Sequence, residues 1–129
     1  MKKQLRILSI EDDAEMRGLI QLIFERLGHR VIGAKRGDFG LEFIRSLKPD
    51  VLLLDLMLPD INGWEIYEQM KADAELDAIP IIIVSARSQA RDAAAGHKVQ
   101  GNDRYVEKPF DVQKLVDIVN QVLATIPVN

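Results

Sequence analysis

The 129-residue sequence predicts a doubly wound α/β domain, an open five-stranded parallel sheet with helices on both faces. Three observations support this. Val51–Leu54 and Ile81–Val84 are unbroken apolar runs of strand length, and Leu5–Ile10 is a third short, mostly apolar run; such continuity marks strands buried on both faces. Between these runs the apolar period changes to that of an amphipathic helix. The two patterns alternate, five of each, which implies parallel strands joined by right-handed crossovers.

Along the chain, the first strand (Leu5–Ile10) runs directly into Glu11, Asp12 and Asp13. Met16, Leu19, Ile20, Ile23, Phe24 and Leu27 then follow the i, i+3, i+4, i+7 spacing of a helix, and Gly28 stands just beyond as a C-terminal stop. A weaker strand fits Arg30–Ala34 and a helix fits Phe39–Leu47. After the strand Val51–Leu54 a helix fits Trp64–Ala72; after Ile81–Val84 another fits Gln89–Lys98. The fifth strand fits Arg104–Val106. Leu115, Ile118, Val119, Val122, Leu123 and Ile126 repeat the helical spacing before Pro127 ends it.

Composition bounds the function. The length suits one domain, and the linkers leave no room for a second. Hydrophobic residues make up 47% and charged residues 29%, with 17 basic against 20 acidic side chains; a net charge of −3 gives no nucleic-acid footprint. Without cysteine there is no disulfide framework, thiolate metal site or cysteine nucleophile, which is compatible with a reducing compartment. The basic N-terminus is followed by an apolar run that Arg6 interrupts and acids end, unlike an export signal. No segment approaches the ~20 apolar residues of a membrane span. A cytoplasmic protein that does not engage membranes is expected.

In such sheets ligands bind beyond the carboxyl ends of the strands, where strand order reverses. In the order 2-1-3-4-5, strands one and three are neighbours at that point, so Glu11, Asp12 and Asp55 converge on one crevice. Three carboxylates that close cannot all ionise cheaply unless a cation joins them. Oxygen donors with no His or Cys nearby favour Mg²⁺, which keeps several waters and leaves room for a phosphoryl oxygen. Asp13 reads better as the cap of the first helix. Ser85 closes the fourth strand in "IIIVSAR", and Lys108 follows the fifth in "YVEKPF". Each is a weak signal alone; together, hydroxyl and ammonium form a site for a tetrahedral anion.

At this point "ILSIEDD", "PDVLLLDLMLPDINGWEI", "IPIIIVSAR" and "GNDRYVEKPF" together resemble the receiver domains of two-component response regulators, over nearly the whole chain. The resemblance implies a flavodoxin-like fold and a single receiver domain over residues 1–129. It implies that Asp55 accepts a phosphoryl group from the phosphohistidine of a sensor histidine kinase or a histidine phosphotransfer protein. Asp12 and Asp55 would bind Mg²⁺ directly, with Mn²⁺ a substitute, Glu11 through water, and the backbone carbonyl of Met57 would complete the protein's share. Lys108 would pair with Asp55 and then with the phosphoryl group, and Ser85 would rotate to hydrogen-bond it. Tyr105 takes the aromatic switch position, so that the surface of helix four, strand five and helix five would signal to a downstream protein or an output domain. A phosphorylation-dependent dimer is compatible with this scheme. The Lys108–Pro109 bond should be cis. Such a domain is a signalling acceptor that promotes its own phosphorylation and dephosphorylation. Met57 and Arg87, each two residues beyond a site residue, flank the path of attacking water and imply slow self-hydrolysis.

Some features depart from the pattern. Glu11 replaces the more usual Asp, at little cost for a ligand acting through water. The segment "SQARDAAAGHKVQ" is not strongly amphipathic, which leaves the register of the fourth helix open. His97 reads as a surface residue and His29 as incidental. Three other readings fit less well. A phosphatase of the haloacid dehalogenase type needs a second Asp where Met57 stands; a flavodoxin-like cofactor binder needs a Ser, Thr and Gly loop where the acids stand; a pseudo-receiver would tend to lack the acceptor or the acids.

Overall fold

The computed structural model describes residues 4–125. Its elements are β1 (Arg6–Ile10), α1 (Ala14–Arg26), β2 (Arg30–Ala34), α2 (Gly37–Leu47), β3 (Val51–Leu54), α3 (Gly63–Ala72), β4 (Ile81–Ser85), α4 (Gln89–Ala94), β5 (Arg104–Glu107) and α5 (Val112–Leu123). The sheet order is β2-β1-β3-β4-β5 and every pairing is parallel, as expected.

Two cores explain the unbroken apolar runs. Because successive strand residues point to opposite faces, Leu8, Ile10, Leu52, Leu54, Ile81 and Ile83 pack with Ile44, Ile66, Tyr67 and Met70 of α2 and α3. Ile7, Val51, Leu53, Ile82, Val84 and Val106 pack with Ile20 and Phe24 of α1 and Leu115, Val119 and Val122 of α5. Truncating one of these, such as Leu54→Ala, costs about 2–5 kcal/mol through lost burial and the cavity left behind.

Element boundaries follow local chemistry. Asp13 does cap α1: its Oδ1 accepts from the amides of Glu15 at 2.9 Å and Met16 at 3.4 Å, so the helix opens at Ala14, before its first apolar position. Gly28, at φ +93°, stops it. The fourth helix is shorter than its expected reach to Lys98. Gly96 turns the chain at φ +92°, and the His97 amide donates back to the Asp92 carbonyl at 2.8 Å, which closes α4 at Ala94. Asp111 caps α5 through the Gln113 amide at 2.8 Å, so this helix also begins earlier than its apolar positions. Ile126 and Pro127 lie outside the described residues. Among the described residues no helix is long and apolar enough to cross a membrane.

Candidate functional site

Strand register assembles the acids. β1 and β3 are adjacent, with Ile10 paired to Leu54, so the residues that follow, Glu11 and Asp55, leave the sheet side by side. Backbone bonds from Glu11 N to Ala34 O (2.9 Å) and Asp55 N to Ile10 O (3.0 Å) hold both strand ends in place. Glu11 and Asp55 are buried and Asp12 is exposed. One carboxylate oxygen from each of the three lies within 4.8 Å of the others. The sequence placed all three in one crevice, and the fold does so.

Lys108 enters from the far side. Its amide donates to the Ser85 carbonyl at 2.8 Å, and the Lys108–Pro109 peptide is cis. Its Nζ forms a close ion pair with Glu11 Oε1 and stands 3.2 Å from Asp55 Oδ2. The remaining oxygens are also engaged: Glu11 Oε2 accepts from the Asp13 amide at 3.2 Å and Asp55 Oδ1 from the Met57 amide at 3.0 Å. Burial disfavours the Lys108 ammonium, but the Glu11 and Asp55 carboxylates outweigh it and raise its pKa. Burial and then the Asp55 carboxyl push Glu11 up to about 7, with Lys108 offsetting only part. One ammonium therefore does not balance the negative charge gathered here. A hard divalent cation fits this oxygen-only donor set, since a second positive centre relieves that repulsion.

The other expected site residues sit on β4, on β5 and in the connections that follow β3 and β4. Ser85 is fully buried at the end of β4, and its Oγ accepts from the Arg87 amide at 3.4 Å. Tyr105 is half-buried, its hydroxyl 2.8 Å from the Arg87 carbonyl and 2.7 Å from Asp92 Oδ2. It already rests against the connection between β4 and α4. Met57 and Arg87 line one open groove together with Asp12. Met57 is 55% exposed, and the Arg87 guanidinium is 2.9 Å from Asp92 Oδ1.

Four further residues escaped the sequence reading. Arg17 Nη1 donates to the carbonyls of Glu11 (2.8 Å) and Asp12 (3.3 Å), bracing the acid-bearing loop from one turn into α1. Gly33 makes room for the stem of Arg17, because a Cβ there would meet its Cγ and Cδ at 2.9 Å. Asp92 is the buried residue of α4. Glu107 Oε1 accepts from the Gln89 amide at 2.7 Å and ties β5 to the start of α4. The weak amphipathicity of the fourth helix was the available signal for Asp92: its inward position is held by an acid. His97 is not simply a surface residue, for its ring stacks on Trp64 with centroids 5.0 Å apart. His29 accepts from the Leu5 amide at 3.2 Å through Nδ1.

The family model described as response regulator receiver domain matches residues 7–120. Protein PilH of Pseudomonas aeruginosa is 39% identical over 119 residues, covering 92% of this chain and 98% of that one. Transcriptional regulatory protein AfsQ1 of Streptomyces coelicolor is 38% identical over 91% of this chain, which spans 50% of its length. The signal receiver domain of a signal transduction histidine kinase from Syntrophus aciditrophicus superimposes with a TM-score of 0.87 over 97% of this chain and 94% of that one; at 22% identity this likeness shows the fold alone.

Proposed function

Because the chain belongs to the response regulator receiver domain family of two-component signalling proteins, we propose that Asp55 is its phosphoryl acceptor and a phosphohistidine on a sensor kinase or phosphotransfer protein its donor. The observation that carries this reading is the buried Asp55 carboxylate, with Lys108 Nζ 3.2 Å from one oxygen and the acids Glu11 and Asp12 beside it. An Asp55 oxygen attacks phosphorus as the P–N bond to the donor imidazole breaks; the imidazole leaves with the bonding pair and takes up a proton. Lys108, already cationic, moves its interaction from the carboxylate to the phosphoryl oxygens without a proton transfer. Ser85, at the neighbouring strand end, offers a hydroxyl to the same group.

Asp12 and Asp55, with the Met57 carbonyl, would hold Mg²⁺ directly, and Glu11 through water; Mn²⁺ would serve as well. Bound there, the cation would supply positive charge that offsets the gathered carboxylates and favours the arrival of an anionic phosphoryl group. Ser85 and Tyr105 carry the signal to the surface of α4, β5 and α5, where a partner protein, an output domain or a second copy reads it in the cytoplasm.

Incubation with acetyl phosphate and Mg²⁺ tests the acceptor. The protein gains the mass of one phosphoryl group, and Asp55→Asn or chelation abolishes the gain. Uptake by Asp55→Asn at the wild-type rate would sink the assignment.

A further inference from the structure

Asp92 sits in a place where a carboxylate is costly. It is 0% exposed, on a helix of six residues, and a buried carboxylate persists only when other groups compensate its charge. Compensation here is incomplete. Oδ2 accepts from the Tyr105 hydroxyl at 2.7 Å. Oδ1 lies 2.9 Å from an Arg87 guanidinium nitrogen, yet the alignment is too poor for a hydrogen bond and no other donor reaches it among the described residues. Tyr105 is shared as well: its one proton faces both Asp92 Oδ2 and the Arg87 carbonyl at 2.8 Å, and serves one at a time. Arg87 is therefore held mainly by charge, and a better-placed anion could claim it.

The reaction supplies one. Arg87 walls the groove that Asp12 and Met57 also line, and its own amide donates to Ser85 Oγ. A phosphoryl group on Asp55 adds about 1.5–2 negative charges and three strong acceptors, the kind of group a guanidinium grips with two parallel hydrogen bonds. Resting on the reading of Asp55 as acceptor, we propose that Asp92 is a positioning residue that competes with the phosphoryl group for Arg87. Before phosphorylation Asp92 keeps the guanidinium on α4. Afterwards the phosphoryl group draws it across the groove, and Asp92 retains the Tyr105 hydroxyl alone. α4 and Tyr105 thereby register phosphorylation through Arg87 in addition to Ser85.

Beryllofluoride, a phosphoryl mimic, tests this with Mg²⁺ and the full chain. Asp92→Asn keeps the shape and an acceptor for Tyr105 but releases the charge on Arg87, so it binds beryllofluoride more tightly than wild type, by roughly fivefold. In an Arg87→Met background the same change has no effect on affinity, a non-additivity that a merely structural role would not produce. Equal or weaker binding by Asp92→Asn, or an undiminished gain without Arg87, overturns the proposal. Should Asp92→Asn fail to fold, the wild-type protein decides: the Arg87 Nε–Hε resonance, assigned by its loss in Arg87→Lys, shifts on beryllofluoride addition, and an unmoved resonance overturns the proposal. Asp55→Asn separates the two readings. Binding that needs Asp55 but leaves Arg87 unmoved removes the competition alone, whereas binding indifferent to Asp55 removes the acceptor reading and the competition together.

Discussion

Asp60 caps the helix that begins at Gly37, although it belongs to the connection between β3 and α3. Its Oδ1 accepts from the Gly37 amide and its Oδ2 from the Asp38 amide, each at 2.9 Å. Arg36, the residue at the cap position itself, makes no side-chain cap. Gly37 allows the approach, since a Cβ there would meet Ile66 Cδ1 at 3.1 Å and Ile61 Cβ at 3.2 Å. The loop that begins at Asp55 is thus fastened to α2.

Asp60→Ala should lower stability by about 1 kcal/mol, the usual worth of a cap, read from the urea midpoint. The cap also has a pH signature. Desolvation works to raise the Asp60 pKa, but the Gly37 and Asp38 amides prevail and hold it at about 2. The unfolded chain therefore binds this proton first. Its stabilisation is complete above about pH 4 and disappears as pH falls through about 2. Asp60→Asn should flatten the loss of thermal stability between those limits; an unchanged acid limb would show that the carboxylate charge contributes nothing.

Gly63→Ala should damage the site from behind. A Cβ at Gly63 would lie 2.5 Å from Leu56 Cα and 2.6 Å from the Asp55 carbonyl oxygen, and backbone atoms cannot rotate away. Overpacking of this kind costs about 1–3 kcal/mol, and relief requires displacing the Asp55–Leu56 backbone. Slower phosphoryl uptake from acetyl phosphate is expected alongside the lost stability. A destabilised variant with unchanged uptake would show that the strain dissipates elsewhere.

Tyr67→Phe should separate stability from phosphorylation. The Tyr67 hydroxyl donates to Asp103 Oδ2 at 2.8 Å and accepts from the Gln100 amide at 2.7 Å. Asp103 also receives the Ile81 amide at 2.7 Å and pairs with Lys71 at 2.7 Å. Burial, then Asp103, pushes the Tyr67 phenol up, so it remains a donor. Its removal strands the Gln100 amide and costs about 1–3 kcal/mol. This cluster lies at the amino ends of β4 and β5, away from Asp55, so the extent of uptake should not change.

Met57→Asn should shorten the life of the acyl phosphate. An amide can orient the attacking water where a thioether cannot. A tenfold faster loss of label corresponds to about 1.4 kcal/mol of barrier. The single substitution is the cleaner test, because Arg87→Glu would set a second acid beside Asp92. Label that persists as long as in wild type, in excess Mg²⁺ without kinase, would clear Met57 of any part in water access.

The strands and the acids were legible in the sequence because their physical signals are local. "VLLL" and "IIIV" can be continuous only where both sheet faces are covered, and the change of period between them specifies crossovers and a parallel sheet. Parallel strands all end on one side, so Glu11, Asp12, Asp55, Ser85 and Lys108 could be assigned to one rim without coordinates.

Tertiary structure alone decided which groups hold that rim in place. Asp60 and Gly37 are 23 residues apart, and Arg87, Asp92 and Tyr105 meet only where α4 settles on β5. A buried acid has no periodic signature: Asp92 made the fourth helix look irregular, because hydropathy records a carboxylate as solvent-seeking whatever its partners. Apolar burial is set residue by residue and can be read along the chain, whereas a paired charge is stable only through a partner that the fold must bring to it.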